Sequence, residues 1–197
     1  MKTLLISLKI FLFFTILTGV IYPVFVTGIV RLTFPAKANG SLILKHNKII
    51  GSELIGQHFD SLIYFTSRPS AISYNPLPSG GSNFSLTNGK LKLSVDSLKR
   101  HFIAFNHLDS ISVIPPEMVF ASASGLDPHI SPEAAYLQIE RIALSRKLSA
   151  EQKTDLRKYV SSSVRHPQFG LLGDECVNVL LMNLELDQNY NQYSHPN

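Results

Sequence analysis

Residues 9–31 read KIFLFFTILTGVIYPVFVTGIVR, and the run Ile10 to Val30 between Lys9 and Arg31 holds 21 residues without a charge. At 1.5 Å per residue a helix over that run is about 31 Å long, matching the roughly 30 Å hydrocarbon core of a bilayer. A secretory signal peptide is the competing reading, since Lys2 and Lys9 precede the run and Ala36-Lys37-Ala38 has the small-residue spacing of a cleavage site. Its apolar region is normally only about 7–15 residues, so the length favours a retained anchor. Pro23 is compatible with a membrane helix, where neighbouring groups re-satisfy freed carbonyls. Thr15 and Gly19 lie four apart, a small-residue spacing that lets a partner helix approach closely.

The chain carries 18 Lys and Arg against 14 Asp and Glu, a formal net charge of +4. Lys2, Lys9 and Arg31 account for +3 of it, leaving 15 basic and 14 acidic residues beyond the span. A domain with net +1 and no dense basic run has no excess charge for phosphates, so no nucleic-acid partner is expected. The bilayer lipid is the expected partner of the span. Basic residues flank it on both sides, and a domain of this size translocates regardless of charge, which leaves the side open. A single cysteine, Cys176, excludes an internal disulfide and fits a small core residue.

Beyond the anchor the pattern is α+β with segregated helices, in one domain. The expected division is residues 1–33 as anchor, 34–188 as the domain and 189–197 as a polar tail. Ser41 to Leu44 and Lys48 to Ile50 read as short strands around the polar turn His46-Asn47. Arg68 to Asn83 is a loop, with Pro69, Pro76, Pro78, Gly80 and Gly81. Leu91, Val95, Leu98, Phe102 and Phe105 at helical spacing predict a helix over Lys90 to Asn106. Ser131-Pro132-Glu133 is a helix start, with a hydroxyl cap, proline at the first position and a carboxylate in the first turn. Ala135, Ile139, Ile142 and Leu144 supply its apolar stripe. Ser149 and Gln152 form a capping box for the next helix. A short strand at Cys176-Val177 and a helix over Asn178 to Asp187 close the domain.

Two strings invite chemistry. Ser79-Gly80-Gly81-Ser82-Asn83 has the composition of an anion-binding nest but lacks the spacing and lysine of a phosphate-binding P-loop. The plainer reading has Gly80 and Gly81 supplying positive φ in a surface loop. Ser124, Asp127 and His129 hold the residue types of a serine hydrolase, which requires the base bonded to the nucleophile. The plainer reading is a tight loop in which Asp127 makes local turn hydrogen bonds. The seven histidines show no metal-ligand spacing, so no metal site is expected.

Strings through most of the chain resemble the KdpC family, the C subunit of the bacterial high-affinity potassium-transporting P-type ATPase. In the anchor they are Thr18-Gly19, Tyr22-Pro23 and Thr27, leading into Phe34-Pro35 and Ala38 to Ile43. Leu54 to Gln57, Tyr64-Phe65, Arg68 to Ala71, Tyr74 to Pro76 and Ser79 to Asn83 follow. Ala121 to Asp127, Ile130 to Pro132 with Ala134-Ala135, Gln138-Ile139 with Arg141, Val177 to Val179, and Asn183-Leu184 with Leu186-Asp187 complete the order. The resemblance implies a single-span, non-catalytic subunit of the bacterial inner membrane with its domain outside the cytoplasm. Its implied partners are a channel-like potassium-translocating subunit and a P-type ATPase subunit. Its implied role is to stabilise the complex and to act as a catalytic chaperone that raises ATP affinity in the P-type subunit. Ser79, Gly80, Gly81, Ser82 and Asn83 are the implied nucleotide contact, with ATP reached only through the complex. A domain outside the cytoplasm meets little ATP, and there the same loop would instead position a lid on the channel subunit. Thr15, Gly19, Tyr22 and Pro23 are the expected partner-docking residues of the anchor. A membrane-anchored hydrolase and an independent anchored binding protein are the alternatives.

Overall fold

A computed structural model describes residues 2–45 and 47–190. His46 of the predicted turn and residues 191–197 of the predicted tail lie outside the described residues. The chain divides into two compact units, Met1–Ser52 and Glu53–Asn197.

The first unit opens with α1 (Lys2–Ile16), a π-helical turn (Leu17–Ile21) and α2 (Tyr22–Thr33) in one continuous helical run. No residue of the run Lys2–Thr33 is buried by the chain itself. The π turn has a local cause. Pro23 has no N–H and its ring crowds the carbonyl four residues back, so the ladder loosens ahead of it. There Tyr22 donates to the Leu17 carbonyl, five residues back. A short α3 (Pro35–Ala38) follows, then β1 (Leu42–Lys45) and β2 (Lys48–Ser52). The two strands pair antiparallel, with a register shift between Ile43 and Leu44. The predicted hairpin is present, and it groups with the anchor.

The second unit has the expected mixed α/β character, with helices predominating over one two-stranded antiparallel sheet among the described residues. Its elements are α4 (Gly89–Phe105), a 3-10 turn (Pro116–Met118), β3 (His129–Ile130), α5 (Pro132–Ser145), α6 (Ala150–Ser162), β4 (Val177–Asn178) and α7 (Val179–Asn189). Each long helix starts where its cap is written. Asn88 accepts from the Lys90 amide, Ser131 from Ala134 and Asn178 from Leu181, and Ser149 and Gln152 close a reciprocal capping box. Ile139 and Ile142 of α5, Leu156 and Val160 of α6, and Met182 and Leu186 of α7 meet Phe65, Phe102 and Met118 in one core. Leu144 departs from the predicted stripe: it is 61% exposed, while Gln138 and Arg141 of the same helix are fully buried.

Those two polar residues replace a sheet. Residues 59–67 run along the core as coil with Phe65 and Ser67 buried, and buried backbone groups there need partners as strictly as in a strand. Asn183 grips Phe65 at both ends, accepting from its N–H (2.8 Å) and donating to its carbonyl (2.9 Å). Gln138 Oε1 accepts from the Thr66 N–H at 2.7 Å. The Arg141 guanidinium donates to the carbonyls of Ser61, Leu62 and Tyr64 and, through Nε, to Asn106 Oδ1 at 2.8 Å. It also lies 4.5 Å from the Phe105 ring centroid. Arg146 donates to the Ile63 carbonyl and to Asp187 Oδ1, each at 2.8 Å. Tyr64 closes the group by donating to Asp187 Oδ2 at 2.8 Å. Burial pulls the Arg141 guanidinium down to about 10, so it stays charged at neutral pH and its hydrogen bonds are charge-assisted.

Candidate functional site

The Ser79–Asn83 loop rests on the second chemistry-like string. The Ser79 hydroxyl donates to the Ser124 carbonyl at 2.9 Å, and the Gly80 N–H donates to the same oxygen at 3.2 Å. Contact this close requires small residues on both sides. Gly125 has φ +71°, and a Cβ there would lie 2.4 Å from Ile72 Cγ1 and 3.0 Å from the Gly80 carbonyl. A Cβ on Gly81 would lie 3.1 Å from the Ala123 carbonyl. The expectation that Gly80 and Gly81 supply positive φ is corrected: neither does, and the left-handed residue of the loop is Asn83, at φ 53°. Glycine at position 81 serves close backbone approach, and at position 80 a Cβ would meet nothing within 4 Å. The Gly80 amide is already committed to Ser124, which removes one donor from the run of successive amides that an anion nest uses. Ser82 and Asn83 are exposed.

The footing of this pair of loops is equally close. The Gly56 N–H donates to the Leu126 carbonyl at 2.7 Å, and a Cβ on Gly56 would lie 2.6 Å from the Asp127 carbonyl oxygen. The Ser122 N–H donates to the Pro69 carbonyl at 3.2 Å. Arg68 Nη1 pairs with Asp127 Oδ2 at 2.6 Å, and the His129 N–H donates to Asp127 Oδ1 at 3.0 Å. Burial alone would raise the Asp127 carboxyl, but hydrogen bonds from His129 and the Arg68 guanidinium outweigh it and hold the group at about 2. The Tyr74 phenol donates to the Arg68 carbonyl, and burial pushes it up to about 12.

Ser124, Asp127 and His129 have separate tasks. The Ser124 hydroxyl accepts from the Leu126 N–H at 3.1 Å, a local turn bond. The His129 ring faces Asp127, with Nδ1 3.5 Å from Oδ1. Asp127 makes the local turn bond expected of it. The Cys176 thiol is half-buried, and burial raises it above its ordinary value, away from the thiolate a nucleophile needs.

In the anchor, Thr15 Oγ1 donates to the Phe11 carbonyl at 2.8 Å and Thr18 Oγ1 to the Phe14 carbonyl at 2.7 Å. These hydroxyls are satisfied within their own helix, so contact at this face would come from packing rather than polar bonds. Gly19 sits inside the π turn with nothing within 4 Å of where a Cβ would stand. Tyr22 and Pro23 follow directly, with the Tyr22 ring exposed.

The family described as "K+-transporting ATPase, c chain", KdpC, matches residues 4–188, which takes in nearly all of the anchor, the hairpin, the loops and the helices of the domain to within a residue of the end of α7. This chain belongs to the KdpC family. Proteins named potassium-transporting ATPase KdpC subunit are similar to it end to end. The one from Leptospira interrogans is 44% identical over 185 residues, covering 94% of this chain and 93% of its own. The one from Polynucleobacter asymbioticus is 45% identical over 195 residues, covering 96% of this chain and 100% of its own. The one from Dechloromonas aromatica is 46% identical over 193 residues, covering 95% and 98%. The strings that carry the KdpC resemblance fall on the structural joints of the domain. Tyr64-Phe65, Gln138, Arg141 and Asn183 form the clamp, and Gly56, Arg68, Ser79 to Gly81 and Ala121 to Asp127 form the interlocked loops. Arg146 and Asn106, equally buried, were missed by sequence reading. Arg146 caps the end of α5, where a cation reads as an ordinary surface residue near the helix dipole.

Proposed function

We propose that this chain is a non-catalytic accessory subunit of an ATP-driven potassium importer of the bacterial inner membrane. The observation that carries the reading is the uncovered span: a helical run matched by the KdpC family, none of its apolar window buried by its own chain, opened at Gly19 by a π turn. Such a notch suits close approach of a second membrane helix. Residues 1–33 are the anchor, 34–188 the domain on the outer side of the membrane and 189–197 a tail. Thr15, Gly19, Tyr22 and Pro23 dock the span against the channel-like or the P-type subunit. The Ser79–Asn83 loop docks the domain, and the subunit stabilises the complex and raises the ATP affinity of the P-type subunit as a catalytic chaperone.

The test is purification of the complex with and without this chain, from cells grown on scarce potassium. The expected result is co-purification of both partner subunits with the tagged chain, and a higher KM for ATP when it is left out. A chain that is always recovered alone from mild detergent refutes the reading and favours an independent anchored protein. ATP photo-crosslinking to residues 79–83 would assign that loop to nucleotide instead of docking. Labelling of a cysteine introduced in the tail, by a reagent that does not cross membranes, reports the side.

A further inference from the structure

Residues Arg165 to Cys176 project as a narrow hairpin. Arg165 and Cys176 exchange both backbone hydrogen bonds, at 2.8 and 3.2 Å, and Gln168 and Leu172 exchange both at 2.9 and 3.0 Å. The turn between them is further pinned by bonds from the Gly170 N–H to the Pro167 carbonyl (3.1 Å) and from the Leu171 N–H to the Gln168 carbonyl (3.1 Å). On this tied backbone Phe169 is 90% exposed, Leu171 86% and Leu172 62%. Phe169 also stands at φ 56°, next to Gly170 at φ 72°. Glycine takes that conformation freely, whereas a bulky side chain there is an outlier held only by its surroundings, and such strain collects at functional positions. A rigid turn that spends strain to hold three large apolar side chains in water contributes nothing to this domain's own core.

We infer that the Phe169–Leu172 tip is a plug that inserts into an apolar recess with a basic rim on another subunit of the transporter. This rests on the accessory-subunit reading. The hairpin's collar identifies the occupant. Glu53 pairs with Arg165, Glu175 pairs with His166 at 2.9 Å, and exposed Asp174 lies beside them. With His166 neutral, these groups sum to −2. An acidic collar is repelled by anionic lipid, which attracts basic segments, so a bilayer surface fits poorly. Tip-to-tip pairing of two copies would bring two acidic collars together, so self-association fits poorly as well. A protein recess rimmed by Lys or Arg satisfies both the apolar tip and its collar.

The test uses the full chain co-expressed with its partner subunits, comparing the wild type with Phe169→Asn combined with Leu171→Ser. Asn is at ease at positive φ, so the variant hairpin should hold its shape or gain stability. The expected result is unchanged thermal unfolding of the isolated chain and a loss of about tenfold or more in partner recovery, the scale of removing an interface hot spot. Asp174→Lys with Glu175→Lys should also lower recovery. Wild-type recovery with the tip variant, or improved recovery with the lysine variant, overturns the inference while leaving the accessory-subunit reading standing. Failure of the wild type itself to recover partners overturns that reading instead. Flotation with phosphatidylglycerol vesicles that depends on Phe169 would assign the tip to lipid, and a change in the chain's sedimentation on substitution would assign it to a second copy; either overturns the inference.

Discussion

Arg141→Met puts the side-chain-bonded coil of the core to a quantitative test. Methionine keeps the unbranched apolar stem of the side chain and removes every donor of the guanidinium. In the native domain that group serves five acceptors: Asn106 Oδ1, Gln138 Oε1 and the carbonyls of Ser61, Leu62 and Tyr64. They differ in what they lose. Leu62 is exposed, so its carbonyl can turn to water, and the bond to the Ser61 carbonyl is long at 3.3 Å, so little is lost there. Asn106 is 0% exposed, and Arg141 is the donor to its Oδ1, so that oxygen is left bare. Tyr64 loses the donor to its carbonyl at 2.8 Å in a half-buried position. Gln138 Oε1 keeps its bonds from Thr66. Each acceptor left buried without a donor costs about 1–3 kcal/mol. Two such acceptors, with the lost packing on Phe105, give about 4 kcal/mol, less whatever is regained by no longer desolvating a cation.

For a domain of this size about 1 kcal/mol corresponds to roughly 3 °C, so Tm should fall by about 12 °C. The assay is thermal unfolding of the detergent-solubilised full chain by near-ultraviolet circular dichroism, backed by urea midpoints. Arg141→Lys should cost nearly as much, because an ammonium is a point charge with three donors and cannot span acceptors fanned around a planar group. A fall of less than about 3 °C in both variants would refute the claim that this side chain stands in for a missing strand.

Three further perturbations probe the loops and the anchor. Asp127 has its carboxyl at about 2 in the folded chain against an ordinary 3.8, so its stabilisation is present above about pH 4 and is lost as pH falls through about 2. That difference corresponds to about 2 kcal/mol, so the urea-midpoint gap between wild type and Asp127→Asn should shrink by this amount between pH 5 and pH 2; a constant gap would deny the pairing with Arg68 and His129. Gly56→Ala and Gly125→Ala place a Cβ 2.6 Å from the Asp127 carbonyl and 2.4 Å from Ile72, and should each cost about 2 kcal/mol, while Gly80→Ala should be near neutral. Equal losses at all three glycines, read by the same midpoints, would contradict the close approach at Gly56 and Gly125. Gly19→Leu adds a Cβ where nothing lies within 4 Å, so it should leave unfolding of the domain unchanged and lower recovery of partner subunits in mild detergent; normal assembly would leave the anchor as a tether.

The helices were legible because their signals are local. Ser131-Pro132-Glu133 and the Ser149–Gln152 box announce their starts, and the structure begins α5 and α6 there. The inside of the domain was less legible because it breaks the rule that polar residues face outward. Periodicity assigns Leu144 to the stripe of α5, yet it points to water, while Gln138 and Arg141 take buried positions. A signal was present, since both lie at core spacing among Ala134, Ala135, Ile139 and Ile142, but only a coil with unpaired backbone opposite them explains it. The loop glycines show the same limit. Composition says that Gly80 and Gly81 are needed, and it cannot distinguish positive φ from a carbonyl 3.1 Å away.

The clamp also explains why loops and core belong to one pattern. Phe65 and Thr66 are held by Asn183 of α7 and Gln138 of α5, and the chain leaves that grip directly into Arg68 and Pro69. Arg68 fixes Asp127, the Pro69 carbonyl fixes Ser122, and the Ser124 carbonyl accepts from the Ser79 hydroxyl and the Gly80 N–H. The position of the 79–83 loop is therefore set by side chains on two helices, through a coil that has no sheet to stiffen it. A loop held this way is costly to build if its only task is to cover the surface. Under the proposed docking role it presents Ser82 and Asn83 next to a fixed Ser79–Gly80 anchor, because a partner that binds a preorganised loop avoids the entropy of ordering it. Loosening the clamp at Arg141 should then weaken assembly as well as stability, and weaken it even at temperatures where the domain remains folded.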